Sequence, residues 1–334
     1  MARGICIFAE HWNGEISPAV FELLTAAKEL KEQLGEPIQI MLASASCDTL
    51  IQQMSGMPVD EIYAAKLEKD ICFQEDVLAK VYAQMLEKIQ PGCVLIPADD
   101  MGRSLFPRVA YRLSAGLTAD CTELKAARRE DGTFYIRQIK PSFEENTKVC
   151  ICCKENRYPQ MMTVREGIYE ACEASEGQKR PEVRYMDVEA SGKSGIELLE
   201  MLPLEESTGS LQSAEVVVVG GRGTLEKDNF QLMEQFAEKL GAAIGGTRPL
   251  MDMGKIPFDH QIGQTGCTIR PQICISFGAS GAIQHTEGIK NTRLFLAVNK
   301  AEDAPVFQVA DYGAVMDMNP VLTCLLEEWN ETGK

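Results

Sequence analysis

Hydrophobic positions in the first half of the chain follow two alternating patterns. GICIFAE (4–10) and IQIMLAS (38–44) are continuous apolar runs with the length of buried strands. Between them lies a stripe of apolar residues at spacings of three and four, typical of a packed helix: Val20, Leu23, Ala27, Leu30 and Leu34. The alternation returns with a helix at 75–90, a strand at 93–99 and a helix at 104–115. It predicts an α/β fold, a mostly parallel sheet flanked by helices on both faces.

The helical spacing disappears after residue 130. Strand-like composition continues there in three segments, TFYIRQIKP (133–141), VCICCKE (149–155) and YPQMMTVR (158–165). Because no helix separates these segments, we expect them to form an antiparallel extension.

A change of composition indicates two domains, which the length of 334 residues also favours. Residues 188–213 are rich in Glu, Ser and Gly and carry no strand pattern, as expected of a connection. A second alternation starts at VVVVGGRG (216–223) and adds strand-like runs at 272–278, 294–300 and 306–313. We predict an N-terminal α/β domain over residues 1–205 and a Rossmann-like C-terminal domain over residues 206–334.

The charge balance excludes some classes of partner. The formal net charge is −16, whereas nucleic-acid binders and proteins that dock on anionic lipid need basic surfaces. The first residues are too polar for a signal peptide, and no apolar run has the length of a membrane span. We therefore expect a cytoplasmic protein that neither binds nucleic acid nor inserts into a membrane.

Cysteine placement favours a reducing compartment over a disulfide scaffold. Half of the twelve cysteines lie in apolar, strand-like runs: Cys6, Cys93, Cys150, Cys152, Cys153 and Cys274. We expect these thiols to be buried and reduced. The cysteine spacing matches neither a zinc knuckle nor a ferredoxin-type cluster.

Glycine-rich and polar segments follow the predicted strands of the second domain. They are GGRG (220–223), GASGAIQH (278–285), NK (299–300) and DYGAVMDM (311–318), and a fifth segment, GGTRPLMD (245–252), precedes the IGQTG loop (262–266). In parallel α/β sheets, ligands bind where such loops meet. GGRG does not fit the GxGxxG fingerprint, so a standard nicotinamide-type turn is disfavoured. The recurrence of these loops favours a dinucleotide ligand other than a nicotinamide cofactor.

Three side chains in these loops suit a redox-active ring such as flavin. The Thr265 hydroxyl both donates and accepts, as the ring nitrogen N5 requires in its two protonation states. His285 and Arg248 supply positive charge or a donor where negative charge gathers on reduction. Simpler interpretations stay open, since His285 could cap a helix and Arg222 could lie on the acidic surface. Asp311 and Asp317 could be turn or cap residues.

The chain resembles the alpha subunit of electron transfer flavoprotein. The motifs that carry the resemblance are GGRG, GGTRPLMD, QIGQTG, GASGAIQHTEGIKNTRLFLAVNK and PVFQVADYGAVMDM in the second domain. In the first domain, GRSLFPRVAYRLSAGLTADCTELK (102–125) and RYPQMMTVREG (157–167) also match. The resemblance covers nearly the whole chain.

This resemblance implies one FAD in the second domain. Thr265 is then expected at N5, His285 at O2, and Arg248 near the ring, where it favours reduced, anionic states. Asn299 and Asp317 fall at the ADP half. The implied cofactor-binding residues are Arg222, Thr247, Arg248, Ile262, Gly263, Gln264, Thr265, Ser280, Gly281, Ala282, Ile283, Gln284, His285, Asn299, Asp317 and Met318.

The resemblance also implies a role and partners. An alpha subunit pairs with a beta subunit, and the heterodimer carries electrons between flavin dehydrogenases, such as the acyl-CoA dehydrogenases of fatty acid beta-oxidation, and a further redox partner. It is a carrier rather than an enzyme that transforms a substrate. The alternative is a subunit of an electron-bifurcating complex that oxidises NADH and couples acyl-CoA reduction to reduction of ferredoxin or flavodoxin.

Several departures from the family pattern stand out. Pro249 follows Arg248 where the family often has Ala, Cys267 stands where Lys is common, and 140–148 replaces a more glycine-rich stretch.

Two rival classes of protein have less support. A nucleotide-processing enzyme would need a glycine-serine loop after the first strand, which AEHWNG (9–14) lacks. A scaffold without a ligand would not need Thr265 and His285.

Overall fold

A computed structural model describes residues 3–69, 71–142, 147–155, 157–175, 177–190, 194–200, 211 and 214–332. The chain divides into two compact units, residues 1–201 and 202–334. The predicted boundary at 205/206 lies outside the described residues and stays a prediction. Residues 143–146 of the altered stretch 140–148 also lie outside the described residues.

The N-terminal unit is an α/β domain. Its helices are α1 (Pro18–Leu34), α2 (Cys47–Gln53), α3 (Glu75–Ile89) and α4 (Asp100–Leu113). Its strands are β1 (Ile5–Phe8), β2 (His11–Trp12), β3 (Glu15–Ile16), β4 (Ile38–Ser44), β5 (Glu61–Lys66), β6 (Cys93–Pro97), β7 (Leu117–Cys121), β8 (Glu123–Arg128), β9 (Phe134–Pro141), β10 (Lys148–Ile151), β11 (Gln160–Val164) and β12 (Glu182–Tyr185).

A seven-stranded parallel sheet forms the centre of this unit, in the order β12-β5-β4-β1-β6-β11-β7. Alternate residues of β1 face opposite sides, so Ile5 and Ile7 join one apolar core and Cys6 and Phe8 the other. Helix α1 ends at Leu34, and Gly35 follows it in the left-handed conformation that glycine favours. The predicted parallel sheet with helices on both faces is confirmed.

One strand of the predicted antiparallel extension lies elsewhere. β8, β9 and β10 do form a three-stranded antiparallel sheet. The prediction was wrong for β11, which pairs in parallel with β6 and β7. All five of its residues are buried, because the chain returns from the three-stranded sheet to an interior position of the main sheet, between β6 and β7.

The prediction of buried thiols was also wrong in part. Cys6, Cys93 and Cys274 are buried, but Cys150 and Cys152 are exposed. β10 is an edge strand whose residues are all exposed, so an apolar run there does not enter a core. Cys150 and Cys153 also have a CxxC spacing. Within the described ranges, no group of three His, Cys, Asp or Glu residues is arranged to hold a metal ion.

The C-terminal unit is a second α/β domain. Its strands are β13 (Val216–Gly220), β14 (Ala243–Gly246), β15 (Ile273–Phe277), β16 (Leu294–Asn299) and β17 (Tyr312–Val315), and its helices are α5 (Asn229–Leu240), α6 (Arg248–Asp252), α7 (Ile283–Thr286) and α8 (Met318–Thr332). Short 3-10 helices span Arg222–Leu225, Phe258–His260 and Pro305–Gln308. The sheet is parallel throughout, in the order β14-β13-β15-β16-β17.

The last strand begins later than the sequence predicted. Residues 305–308 form a 3-10 helix, and β17 starts at Tyr312, inside the segment expected to be a loop. Pro305 has no backbone N–H for a strand ladder and suits the first turn of a helix. The Val306 N–H donates to Ser280 O at 3.1 Å, which places this short helix against the 278–285 loop.

In the part of the chain that is described, no helix combines the length and the apolar character needed to cross a membrane.

Candidate cofactor site in the C-terminal unit

The chain order reverses direction in the second sheet between β13 and β15. β13 is followed by β14 on one side, and the chain then crosses to β15 on the other side. Ligands of parallel α/β sheets bind at such a switch point, outside the carboxyl ends of the strands. A cavity of about 470 Å³ lies there, lined by residues that follow β13, β14 and β15.

Most of the predicted site residues meet in this cavity. Eleven of the sixteen line it: Arg222, Thr247, Arg248, Ile262, Gly263, Thr265, Ser280, Gly281, Ala282, Gln284 and His285. They come from four segments that are distant in sequence. Only the tertiary structure brings those segments together.

Glycines allow the strand-end loops to approach one another closely. A Cβ on Gly221 would lie 2.2 Å from Ala279 N, and one on Gly281 would lie 2.1 Å from Val306 N. Gly281 also has φ +83°, a left-handed backbone that side chains disfavour. These glycines are therefore required by the packing of the loops.

Residues 261–267, QIGQTGC, form a closed turn at one wall of the cavity. The Cys267 N–H donates to Gln261 O at 2.8 Å, and the Gly263 N–H donates to Cys267 O at 3.1 Å. The Gln264 N–H donates to Gln284 O at 2.7 Å and ties this turn to the 278–285 loop. The position of Thr265 is thus set by both loops.

His285 is almost fully buried, with 6% of its surface exposed. Its Nδ1 lies 3.0 Å from Ile262 O, and because a carbonyl only accepts, Nδ1 donates. Burial lowers the pKa of His285 below its ordinary value, so the ring is neutral near pH 7. Nε2 therefore carries a lone pair, and it has no hydrogen-bond partner among the described atoms.

A second buried polar atom without a partner in the described structure is Thr247 Oγ1. Its backbone N–H donates to Gly220 O at 2.9 Å, which holds the residue between the ends of β13 and β14. Thr247 and His285 both line the cavity. Two orphaned polar atoms in one cavity point to a ligand with hydrogen-bonding groups, since buried polar atoms are normally paired.

Two guanidinium groups give the mouth of the cavity positive charge. Arg222 and Arg248 are exposed and line it. The Arg248 side chain is 69% exposed, and its Nε lies 3.6 Å from Asp252 Oδ2. Both guanidinium groups can therefore reach an anionic or electron-rich ligand.

Five predicted residues lie outside the cavity lining. Gln264 and Ile283 belong to the two loops and contribute backbone to them. Asn299 Nδ2 donates to Ala279 O at 2.7 Å, so this side chain holds the 278–285 loop from behind. Met318 packs beneath the same loop, where a Cβ on Gly278 would lie 2.2 Å from its Cε. Asp317 lies at the end of β17 and accepts from the Asn319 N–H at 3.0 Å.

Sequence reasoning missed three lining residues, Pro249, Gln261 and Gly278. Each lies beside or inside a motif that was recognised, so its motif was the available signal. Gln261 is the most informative, because it is buried and its Nε2 donates to Thr265 Oγ1 at 2.9 Å.

The fold and the cavity define an α/β protein with a nucleotide-cofactor site. Comparison with known proteins gives the family. Residues 5–191 match the electron transfer flavoprotein domain, and residues 210–290 match the electron transfer flavoprotein FAD-binding domain.

Relatives of known name agree. The chain is 33% identical over 327 residues to electron transfer flavoprotein subunit alpha of Thermoanaerobacterium thermosaccharolyticum, covering 98% of this chain and 97% of the relative. It is 34% identical over 329 residues to the subunit of the same name from Clostridium acetobutylicum, covering 98% and 96%. It is 35% identical over 327 residues to lactate dehydrogenase (NAD(+),ferredoxin) subunit LctC of Acetobacterium woodii, covering 97% and 76%.

The chain belongs to the electron transfer flavoprotein family, as an alpha subunit, and its cofactor is FAD. The cavity fits such a group. It combines unpaired buried polar atoms at Thr247 and His285 with two guanidinium groups that line it.

Proposed function

We propose that FAD lies along the carboxyl edge of the second sheet, with its ring in the cavity beside β14 and β13 and its ADP half towards β16 and β17. Four inter-strand spacings of about 4.8 Å give this edge a width of roughly 19 Å, which suits an extended dinucleotide. The observation that carries the proposal is the pair of buried, unpartnered atoms in the cavity, Thr247 Oγ1 and His285 Nε2.

The predicted residues then have distinct roles. Thr265 lies at N5 of the ring, His285 at the O2 edge, and Arg248 and Arg222 beside the ring. Asn299 supports the loop under the phosphates, and Asp317 lies at the ADP half. Bound FAD supplies one-electron transfer, and the protein supplies binding, orientation and charge.

Charged groups at the ring edge determine how well a negative charge on the reduced ring is stabilised. Arg248 stabilises a negative charge that develops on the ring, and His285 does so when its Nε2 carries a proton. Burial makes the interaction of His285 stronger than it would be in water, whereas solvent screens the exposed charge of Arg248. Asp252 partly offsets the charge of Arg248, from 3.6 Å away.

We further propose that the chain pairs with a beta subunit in the cytoplasm and exchanges electrons with an acyl-CoA dehydrogenase or a similar flavin dehydrogenase. The names of the relatives support a two-subunit arrangement, since several are subunits called alpha. The boundary of the FAD-binding domain at residues 205/206 belongs to this proposal.

A second candidate is the bifurcating role. One relative is named as a subunit of a lactate dehydrogenase that uses NAD(+) and ferredoxin. This likeness covers 97% of the present chain and the likeness to a plain alpha subunit covers 98%, so it does not displace the carrier role.

The test is to co-express the chain with a beta subunit of the family and to count the FAD released on denaturation. One FAD per heterodimer, reduced in single-electron steps, is the result expected of a carrier. Two FADs of which one does not behave in this way would support the bifurcating role. A heterodimer that forms without any FAD would contradict the site.

A further inference from the structure

Gln261 is part of the cofactor site but is not among the sixteen residues predicted to bind FAD. It lines the cavity and is only 3% exposed. Its side-chain Nε2 donates to Thr265 Oγ1 at 2.9 Å.

The backbone of Gln261 is held on both sides. Its N–H donates to Phe258 O at 3.1 Å, and its carbonyl accepts from the Cys267 N–H at 2.8 Å. A Cβ on Gly266 would lie 2.1 Å from that carbonyl, so the turn is closed tightly around it. The Gln261 side chain therefore bridges the inside of a rigid turn.

We propose that Gln261 is a positioning residue that sets the direction of the Thr265 hydroxyl proton. The proposal rests on the proposed function, in which Thr265 lies at N5 of the flavin. A hydroxyl has one proton and two lone pairs. Because the amide of Gln261 occupies one lone pair, the Thr265 proton is left for the cavity.

This arrangement has a chemical consequence. N5 of the oxidised ring only accepts, whereas a protonated N5 donates. A Thr265 hydroxyl held as a donor favours N5 without a proton, so Gln261 favours uptake of the first electron without proton transfer to N5. Gln261 thus selects which reduced form the site stabilises.

Two variants separate donation from acceptance. Gln261→Met has a similar volume and no donor, and Gln261→Glu offers Thr265 an acceptor, which turns the hydroxyl proton away from N5. For Gln261→Met we expect about a tenfold smaller equilibrium constant for the first electron, which is about 59 mV for a one-electron couple. Gln261→Glu should lower this potential further and move the visible spectrum at half reduction towards the N5-protonated form.

A double-mutant cycle with Thr265→Val tests the route, with every variant measured in the FAD-loaded heterodimer by redox titration, absorbance and FAD content. If Gln261 acts through Thr265, the shift caused by Gln261→Met disappears once the hydroxyl is absent, and the shift caused by Gln261→Glu shrinks to the part that its charge produces by itself. A shift for Gln261→Met that is equal with and without the hydroxyl would overturn the positioning role. If Thr265→Val alone leaves potential and spectrum unchanged, the placement of Thr265 at N5, and hence the proposed function of this wall, is wrong.

Discussion

His285 and Thr265 share one feature, since each has a polar atom held by the protein and a further hydrogen-bonding position left for the cavity. Ile262 O holds the Nδ1 proton of His285, and Gln261 Nε2 occupies one lone pair of Thr265. The sequence predicted both residues from their motifs. It could not predict their proton positions, which depend on neighbours that only the folded turn brings within hydrogen-bonding distance.

For His285 we predict a pH-dependent first potential. Burial lowers the pKa of the free imidazole, and a negative charge on the reduced ring raises it again, so electron uptake is accompanied by proton uptake. The potential should fall as pH rises between the two pKa values, by at most about 59 mV per pH unit.

The variants His285→Gln and His285→Ala should lower the first potential and flatten its pH dependence. Redox titration of the heterodimer between pH 6 and pH 9 measures both effects. An unchanged potential in His285→Ala would place this residue away from the ring.

Glu10, after β1, provides a residue-scale prediction in the other unit. Burial, and then a hydrogen bond with Asp99, raise the pKa of Glu10 to about 9. The folded state therefore keeps a proton that the unfolded chain releases near pH 4.5. The contribution of Glu10 to the free energy of unfolding should therefore fall as pH rises from about 4.5 to about 9.

The variant Glu10→Gln keeps a hydrogen-bonding side chain without the titration. We expect it to be more stable than the natural chain at pH 8 and nearly equal at pH 5. Urea unfolding at several pH values measures the difference between the two. If the free energies of unfolding of the variant and of the natural chain change with pH in the same way, Glu10 ionises normally in the folded protein.

Among the elements, the 278–285 loop connects the two sides of the site. Its backbone carbonyls accept three hydrogen bonds from other elements. Ser280 O accepts from the Val306 N–H, Ala279 O accepts from the Asn299 side-chain amide, and Gln284 O accepts from the Gln264 N–H. The sequence predicted this loop from its glycines. It placed the preceding and following strands correctly, but it mistook residues 306–310 for a strand, because a short 3-10 helix and a strand have similar apolar composition.

Gly281→Ala should disrupt this loop. The new Cβ would lie 2.1 Å from Val306 N, on a backbone with φ +83°. We expect lower stability and a heterodimer that loses FAD during purification. FAD content and urea unfolding report the two effects.

Gly241→Ala is the matched control, since Gly241 also has a left-handed backbone, φ +63°, but nothing lies within 4 Å of its Cβ position. It should lose only about 1–2 kcal/mol of stability from the backbone and should retain FAD. Equal loss of FAD in both variants would show that the contact with Val306 is unimportant.

On the scale of the whole molecule, the two units should respond differently to the cofactor. In the heterodimer, hydrogen exchange at residues 261–267 and 278–286 should be slower with FAD bound than without it. The reason is that a ligand that binds only the folded site stabilises it by about 2.7 kcal/mol at a hundredfold excess over its Kd. The strands β1, β4 and β6 should change little. Equal protection of both units would argue against a cofactor site confined to the C-terminal unit.

The sequence by itself determined the fold class, the two alternations of strand and helix, and the motifs that identify an alpha subunit with FAD. These follow from local patterns, since periodicity reports local burial and glycine reports local backbone freedom. The tertiary structure alone decided that β11 is an interior parallel strand, that Cys150 and Cys152 are exposed, and that Gln261 reaches Thr265. Strand order, edge position and hydrogen-bond direction arise from contacts between residues far apart in sequence, and local composition carries little information about such contacts.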